Sequence, residues 1–150
     1  MADEAPFKIA VDTLTADVFL SLYRAVGWEP PGRDQVKRAL SNSLASFTAY
    51  AGDTPVGMAR LLGDGGMSFY GMSFYIKDFA VLPAWQGKGV GRALMDALHE
   101  YIFKSIQPGW AVSLELISTP SAAAFYRRQG FEDRPCDWDG PGMFKMLRRE

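Results

Sequence analysis

Gln86, Gly87, Lys88, Gly89, Val90, Gly91 and Arg92 follow one another, and no other stretch of this chain is as well suited to hold an anion. Glycines at alternate positions remove the side chains that would keep an oxyanion away from the main chain, and they accept left-handed backbone that other residues avoid. Gln86 adds an amide donor, and Lys88 and Arg92 add positive charge. If a helix begins here, its first amides have no partner inside the helix and stand at the positive end of its dipole. The chemistry implied is a cradle for a diphosphate.

The flanking residues supply the elements such a cradle needs. Ahead of it, Ile76, Phe79, Ala80, Val81 and Leu82 form a short apolar run that Pro83 ends, so a strand is expected. Behind it, Val90, Ala93, Leu94, Ala97, Leu98, Tyr101, Ile102 and Ile106 recur at helical period, with Arg92, Asp96, Glu100 and Lys104 off the stripe. Residues 76–106 therefore read as strand, glycine turn and amphipathic helix. Two familiar phosphate loops do not fit. A P-loop requires Ser or Thr after a Gly-Lys pair, and Lys88 here lies between glycines. A dinucleotide fingerprint requires two residues between its second and third glycines, and only Val90 separates Gly89 from Gly91.

The turn does resemble the acyl-coenzyme A signature of the GNAT superfamily of N-acetyltransferases: Gln or Arg, two residues, Gly, one residue, Gly or Ala. Gln86-Gly87-Lys88-Gly89-Val90-Gly91 satisfies it, preceded by Val81-Leu82-Pro83. A second stretch, Ala122-Ala123-Ala124-Phe125-Tyr126-Arg127-Arg128-Gln129-Gly130-Phe131, resembles that superfamily's later motif, with Thr119 where Asn is frequent. The order of elements agrees over nearly the whole chain. The resemblance implies one domain, residues 1–150, of α+β (α/β) GNAT-like fold, with a mixed, mostly antiparallel central sheet of about six to seven strands flanked by about four helices.

The same resemblance implies N-acetyl transfer from acetyl-coenzyme A, with no metal, to a primary amine of a small molecule by direct attack. Coenzyme A would be held by Phe79, Ala80, Val81, Gln86, Gly87, Lys88, Gly89, Val90, Gly91, Arg92, Thr119, Phe125, Tyr126 and Arg128. A main-chain amide among residues 79–81 would polarise the thioester carbonyl. Tyr126, carried by its helix toward the sulfur, would protonate the departing thiolate, although alone it would read as a packed core aromatic. Asp78 is a candidate base, with Glu115 and Tyr75 as rivals. Tyr23, Trp28, Phe74 and Asp78 are candidate acceptor-pocket residues, with Glu29, Trp138 and Asp139 nearby candidates. Aromatic walls with negative charge suit a small amine with an apolar body. Acetylation of a protein or peptide, and a non-catalytic acyl-coenzyme A-binding regulatory module, are the alternatives.

Composition bounds the partners. With 16 basic and 17 acidic residues, a formal net charge of −1 offers no basic footprint for nucleic acid or an acidic membrane surface. The single cysteine, Cys136, excludes an internal disulfide and a cysteine-ligated metal. The single histidine, His99, is expected on the solvent side of its helix. No signal peptide or membrane span is visible, so a cytoplasmic location is expected.

Elsewhere, residues 7–11 suggest a strand, and Thr15 an N-cap for a helix through Val26. Residues 34–44 suggest a second helix. Residues 46–51 and 55–62 suggest a hairpin through Gly52-Asp53, with Gly57 marking a bulge or a close approach. Strands are also expected over residues 110–117, from Phe131 and over residues 143–147, with a helix over residues 120–129 closed by Gly130. The pentapeptide GMSFY occurs twice in succession, at residues 66–70 and 71–75. Its odd offset sends equivalent side chains to opposite faces of a strand. The second copy is expected to enter the central strand and the first to lengthen the hairpin or bulge. A homodimer formed through that extra strand is a further option.

Overall fold

The computed structural model describes residues 6–67 and 73–149. They divide into two compact units, Met1–Leu116 and Ile117–Glu150.

The first unit holds a five-stranded sheet whose strands lie side by side in chain order, with two helices inserted between the first and second strands. The strands are β1 Lys8–Val11, β2 Ala45–Ala51, β3 Thr54–Leu62, β4 Phe74–Val81 and β5 Leu114–Glu115. The first four pair antiparallel, and β5 runs parallel to β4. β2 and β3 close through the expected Gly52-Asp53 turn, where Gly52 takes a φ of 59°. The helices are α1 Ala16–Ala25, α2 Arg33–Ser41 and α3 Val90–Ser105. Thr15 caps α1 as expected, its Oγ1 accepting from the Val18 amide at 3.3 Å.

Strand alternation assigns the layers. Met58 packs with Phe19, Leu22 and Val36 of α1 and α2, so its neighbour Gly57 must face the other way. A Cβ on Gly57 would lie 3.1 Å from Val90 Cγ1, 3.2 Å from Leu94 Cδ1 and 3.2 Å from the Ala80 carbonyl oxygen. Of the two readings of that glycine, the close approach is the one realised: it lets α3 seat on β3. The buried stripe of α3 is Val90, Leu94, Met95, Leu98 and Ile102. His99 is half-buried rather than exposed, because it flanks Met95 and Ile102 on that stripe.

The sheet has fewer strands than expected, for two separate reasons. Of residues 110–117, only Leu114 and Glu115 pair, opposite Phe74 and Tyr75. The Trp110 amide turns back to the Gln107 carbonyl instead, after Gly109 at a φ of 86°. In the second unit, residues 143–147 form no strand. Met143, Phe144, Met146 and Leu147 are exposed, so their apolar side chains find no burial there. This unit holds a 3-10 turn, Pro120–Ala122, leading into α4, Ala123–Arg128, with Gly130 at a φ of 92° closing it. An isolated bridge joins Cys136 to Asp139. The second GMSFY copy enters β4 at Phe74 as expected, while most of the first lies outside the described residues.

No helix among the described residues is long and apolar enough to cross a membrane.

Candidate active site

β4 carries the site of the first unit. Its outer edge is covered by β5 only at Phe74 and Tyr75, so from Ile76 onward no strand lies along that edge among the described residues. The strand then delivers the chain into the glycine turn through a 3-10 turn, Pro83–Trp85. Gly87 and Gly89 both adopt the left-handed backbone, with φ of 72° and 87°. Gly89 is the N-cap of α3 and offers no side-chain acceptor to the amides that follow. The Ala93 amide makes the bond to the Gly89 carbonyl at 3.0 Å, so the amides before it face outward at the helix start, as an anion site requires. Nothing lies within 4 Å of where a Cβ would stand on either glycine. Backbone conformation, not crowding, fixes glycine at both positions.

The charged and polar residues of the turn divide their work. Gln86 Nε2 donates to the Val81 carbonyl at 3.0 Å, which ties the loop to the end of β4. Lys88 Nζ lies over the Trp85 ring, 5.2 Å from its centroid, and is exposed. Arg92 is also exposed. Val90 is buried and anchors the helix start.

Within β4 the ladder to β3 slips. Lys77 pairs with Arg60 and Ala80 with Met58, leaving Asp78 and Phe79 together opposite Ala59. This is a bulge, and Asp78 takes a φ of 53° in it. Aspartate tolerates that region better than most residues, yet the left-handed form still costs about 1 kcal/mol. Arg60 holds it there. Arg60 Nε donates to Asp78 Oδ2 at 2.7 Å, and the two side chains are only 7% and 10% exposed. Arg60 Nη1 also donates to the Ala39 carbonyl at 3.2 Å and to Ser43 Oγ at 3.1 Å, at the C-terminal end of α2. Sequence reasoning missed Arg60. The signal was a lone charge inside the apolar run of residues 55–62, since a cation buried in a strand requires a partner.

On the same face, Phe19, Tyr23 and Trp28 form an aromatic row. Phe19 and Tyr23 stack at 5.2 Å between centroids, and Tyr23 meets Trp28 edge-on at 5.0 Å. Burial, then the Asp78 charge, raise the Tyr23 hydroxyl above its ordinary pKa, with Arg60 opposing. Tyr23, Trp28 and Asp78 are thus gathered on the α1/α2 side of the sheet. Phe74 is 1% exposed and belongs to the packed interior.

In the second unit, Tyr126 is buried, with Phe125 and Phe131 rings edge-on at 5.2 and 5.9 Å. Burial pushes its hydroxyl up to about 12. Thr119 precedes the 3-10 turn, its Oγ1 3.5 Å from Ser121 Oγ. Arg128 is exposed, and the neighbouring Arg127 grips Asp133 through two bonds of 2.9 and 2.6 Å. Asp139 is paired with Arg134, and Trp138 is exposed.

A mixed sheet uncovered along part of one inner strand, feeding a glycine turn into a helix, defines an α/β protein with an anion-binding helix start. Comparisons with known proteins narrow that class. A family model described as an acetyltransferase (GNAT) domain matches residues 42–133. A crystal structure of a probable acetyltransferase from methicillin-resistant Staphylococcus aureus is 30% identical, with a TM-score of 0.79 over 94% of this chain and 99% of that one. An uncharacterized N-acetyltransferase (ycf52-like) of Prochlorococcus marinus is 30% identical over 83% of this chain and 67% of its own length. The chloroplastic serotonin N-acetyltransferase 2 of Oryza sativa is 28% identical over 85% of this chain and 62% of its own. The chain thus spans about two thirds of these two curated relatives. It belongs to the GNAT acetyltransferase family, whose members take the acetyl group from acetyl-coenzyme A.

Proposed function

We propose that this chain acts as a single acyltransferase domain that moves the acetyl group of acetyl-coenzyme A to the primary amine of a small molecule with an apolar, aromatic-sized body. One observation carries the reading: the uncovered edge of β4 leads directly into a glycine turn at the start of α3. That edge offers main-chain groups to an extended thioester arm, and the turn offers main-chain amides to its diphosphate. Gln86 and Val90 fix the turn, while Lys88 and Arg92 supply charge around it. The aromatic row beside Asp78 supports an amine acceptor, and the name of the rice relative points to one such compound, serotonin.

In the proposed reaction the amine nitrogen forms a bond to the acetyl carbon as the carbon–sulfur bond breaks. Asp78, directly or through water, receives the amine proton, and its Oδ2 bond to Arg60 holds the carboxylate in one orientation. Tyr126 gives its proton to the thiolate. Because burial raises this phenol to about 12, it stays protonated through neutral pH and is lost as an acid only on the alkaline side.

Release of free coenzyme A thiol with a panel of arylalkylamines, aminoglycosides and lysine peptides tests the reading, with the arylalkylamines expected fastest. Tyr126→Phe is expected to lower kcat at least tenfold, as loss of a general acid does, while the calorimetric Kd for acetyl-coenzyme A changes less than about twofold. Thiol release by no amine of the panel would leave a coenzyme-binding module. Wild-type turnover in Tyr126→Phe would remove the tyrosine as the acid.

A further inference from the structure

Arg60 spans three features in one reach. Its Nε holds Asp78 Oδ2, and its Nη1 holds the Ala39 carbonyl and Ser43 Oγ at the end of α2. The guanidinium is buried, the residue being 6% exposed, and a cation in that setting needs every one of these acceptors. Asp78 in turn stands at the positive-φ corner of the bulge, directly before Phe79, Ala80 and Val81. The direction in which those main-chain groups leave the corner depends on its backbone angles. A helix end, a buried charge pair and a backbone corner are therefore mechanically joined.

We infer that Arg60 is a positioning residue: through Asp78 it fixes the bulge of β4, and so sets the orientation of the main-chain groups of Phe79, Ala80 and Val81 toward the acyl carbonyl. This rests on the acyl-transfer reading above, and it adds a residue that touches neither substrate nor cofactor. It also gives the α2 C-terminus a role, as the second anchor that keeps the guanidinium from following Asp78 if the strand shifts. The glycine turn is built separately from main chain. Loss of Arg60 should therefore slow the chemical step far more than it weakens coenzyme binding, because the diphosphate cradle beyond the end of β4 stays in place and only the main-chain contacts of residues 79–81 are disturbed.

The test pairs kinetics with a measurement that needs no turnover. Arg60→Met is expected to lower kcat with the best amine at least tenfold while the Kd for acetyl-coenzyme A changes less than threefold. In an Asp78→Asn background, Arg60→Met should cost no more than a further threefold, since the pair acts as one unit. Amide hydrogen exchange by NMR is expected to accelerate at least tenfold over residues 78–80 in Arg60→Met, with the amides of β2 unaffected. If Arg60→Met does not fold, Arg60→Lys, which keeps the charge and loses the Nε bond, is measured in the same way. Unchanged exchange over residues 78–80, wild-type kcat, or effects of the two substitutions that simply multiply would each overturn the inference. An inactive wild-type protein would defeat the functional reading alone, and the exchange measurement would still decide the role of Arg60.

Discussion

The two working regions of β4 are built by opposite means. At the strand's end, the turn over residues 86–89 is exposed, and it works by lacking side chains: Gly87 and Gly89 bend left-handed and leave amides bare. In its middle, the bulge at Asp78 is half-buried, and it bends left-handed without a glycine because the buried Arg60 pairs with its side chain. The first solution needs only local sequence. The second needs a cation on the neighbouring strand and a carbonyl at the end of a helix. The difference teaches where each is vulnerable: the turn to any added Cβ, the bulge to loss of a distant partner.

The largest effect should come from giving the turn a side chain. Gly89→Val forces a β-branched residue to a φ of 87°, a region such residues almost never occupy. The turn can relax only by moving the amides that start α3. Affinity for acetyl-coenzyme A is expected to fall at least tenfold by calorimetry, with a loss of stability of about 1–2 kcal/mol. Exchange at residues 78–80 should not change. If it did, turn and bulge would be one structure and the contrast between them would fail.

Gly57→Ala is a smaller perturbation, felt at the start of α3 and at Ala80 of β4. The new methyl would meet Val90 and Leu94 of α3 and the Ala80 carbonyl at 3.1 to 3.2 Å, tighter than a packed interior accepts without movement. Overpacking of this kind costs about 1–3 kcal/mol. The melting temperature should drop by several degrees, and coenzyme affinity should weaken slightly as the start of α3 is pushed outward. An unchanged melting temperature would mean that α3 is free to shift on the sheet.

The same contrast explains what could be read from the residues alone. The turn, the strand before it and α3 were legible because each has a local signature: alternate glycines, a proline stop and a helical apolar period. Thr15 and Gly52-Asp53 were legible for the same reason. The bulge was not, because nothing near Asp78 announces a positive φ, and its cause, Arg60, lies 18 positions away. Asp78 was picked out for its carboxylate, yet the ion pair that orients it required knowing the register of β3 on β4. The shortened β5 and the unpaired residues 143–147 mark a second limit. A short apolar run states what a strand would prefer, while pairing depends on a neighbour that the sequence does not specify.

The smallest expected effect concerns the α1/α2 side of the sheet, where the bulge shows that buried polar groups are costly unless matched. Thr48, on β2 opposite Met58, is fully buried, and its Oγ1 is without a hydrogen-bond partner among the described residues. Valine has the same branched shape and suits a strand. Thr48→Val should therefore raise stability by about 1 kcal/mol, the usual penalty for an unmatched buried hydroxyl, or about 2–4 °C in Tm for a chain of this size. Neither the exchange rates at residues 78–80 nor coenzyme affinity should move, since Arg60 has its own acceptors. A lower Tm would show instead that the hydroxyl has a partner, and that this face of the sheet is wetter and less selective about charge than the burial of Arg60 implies.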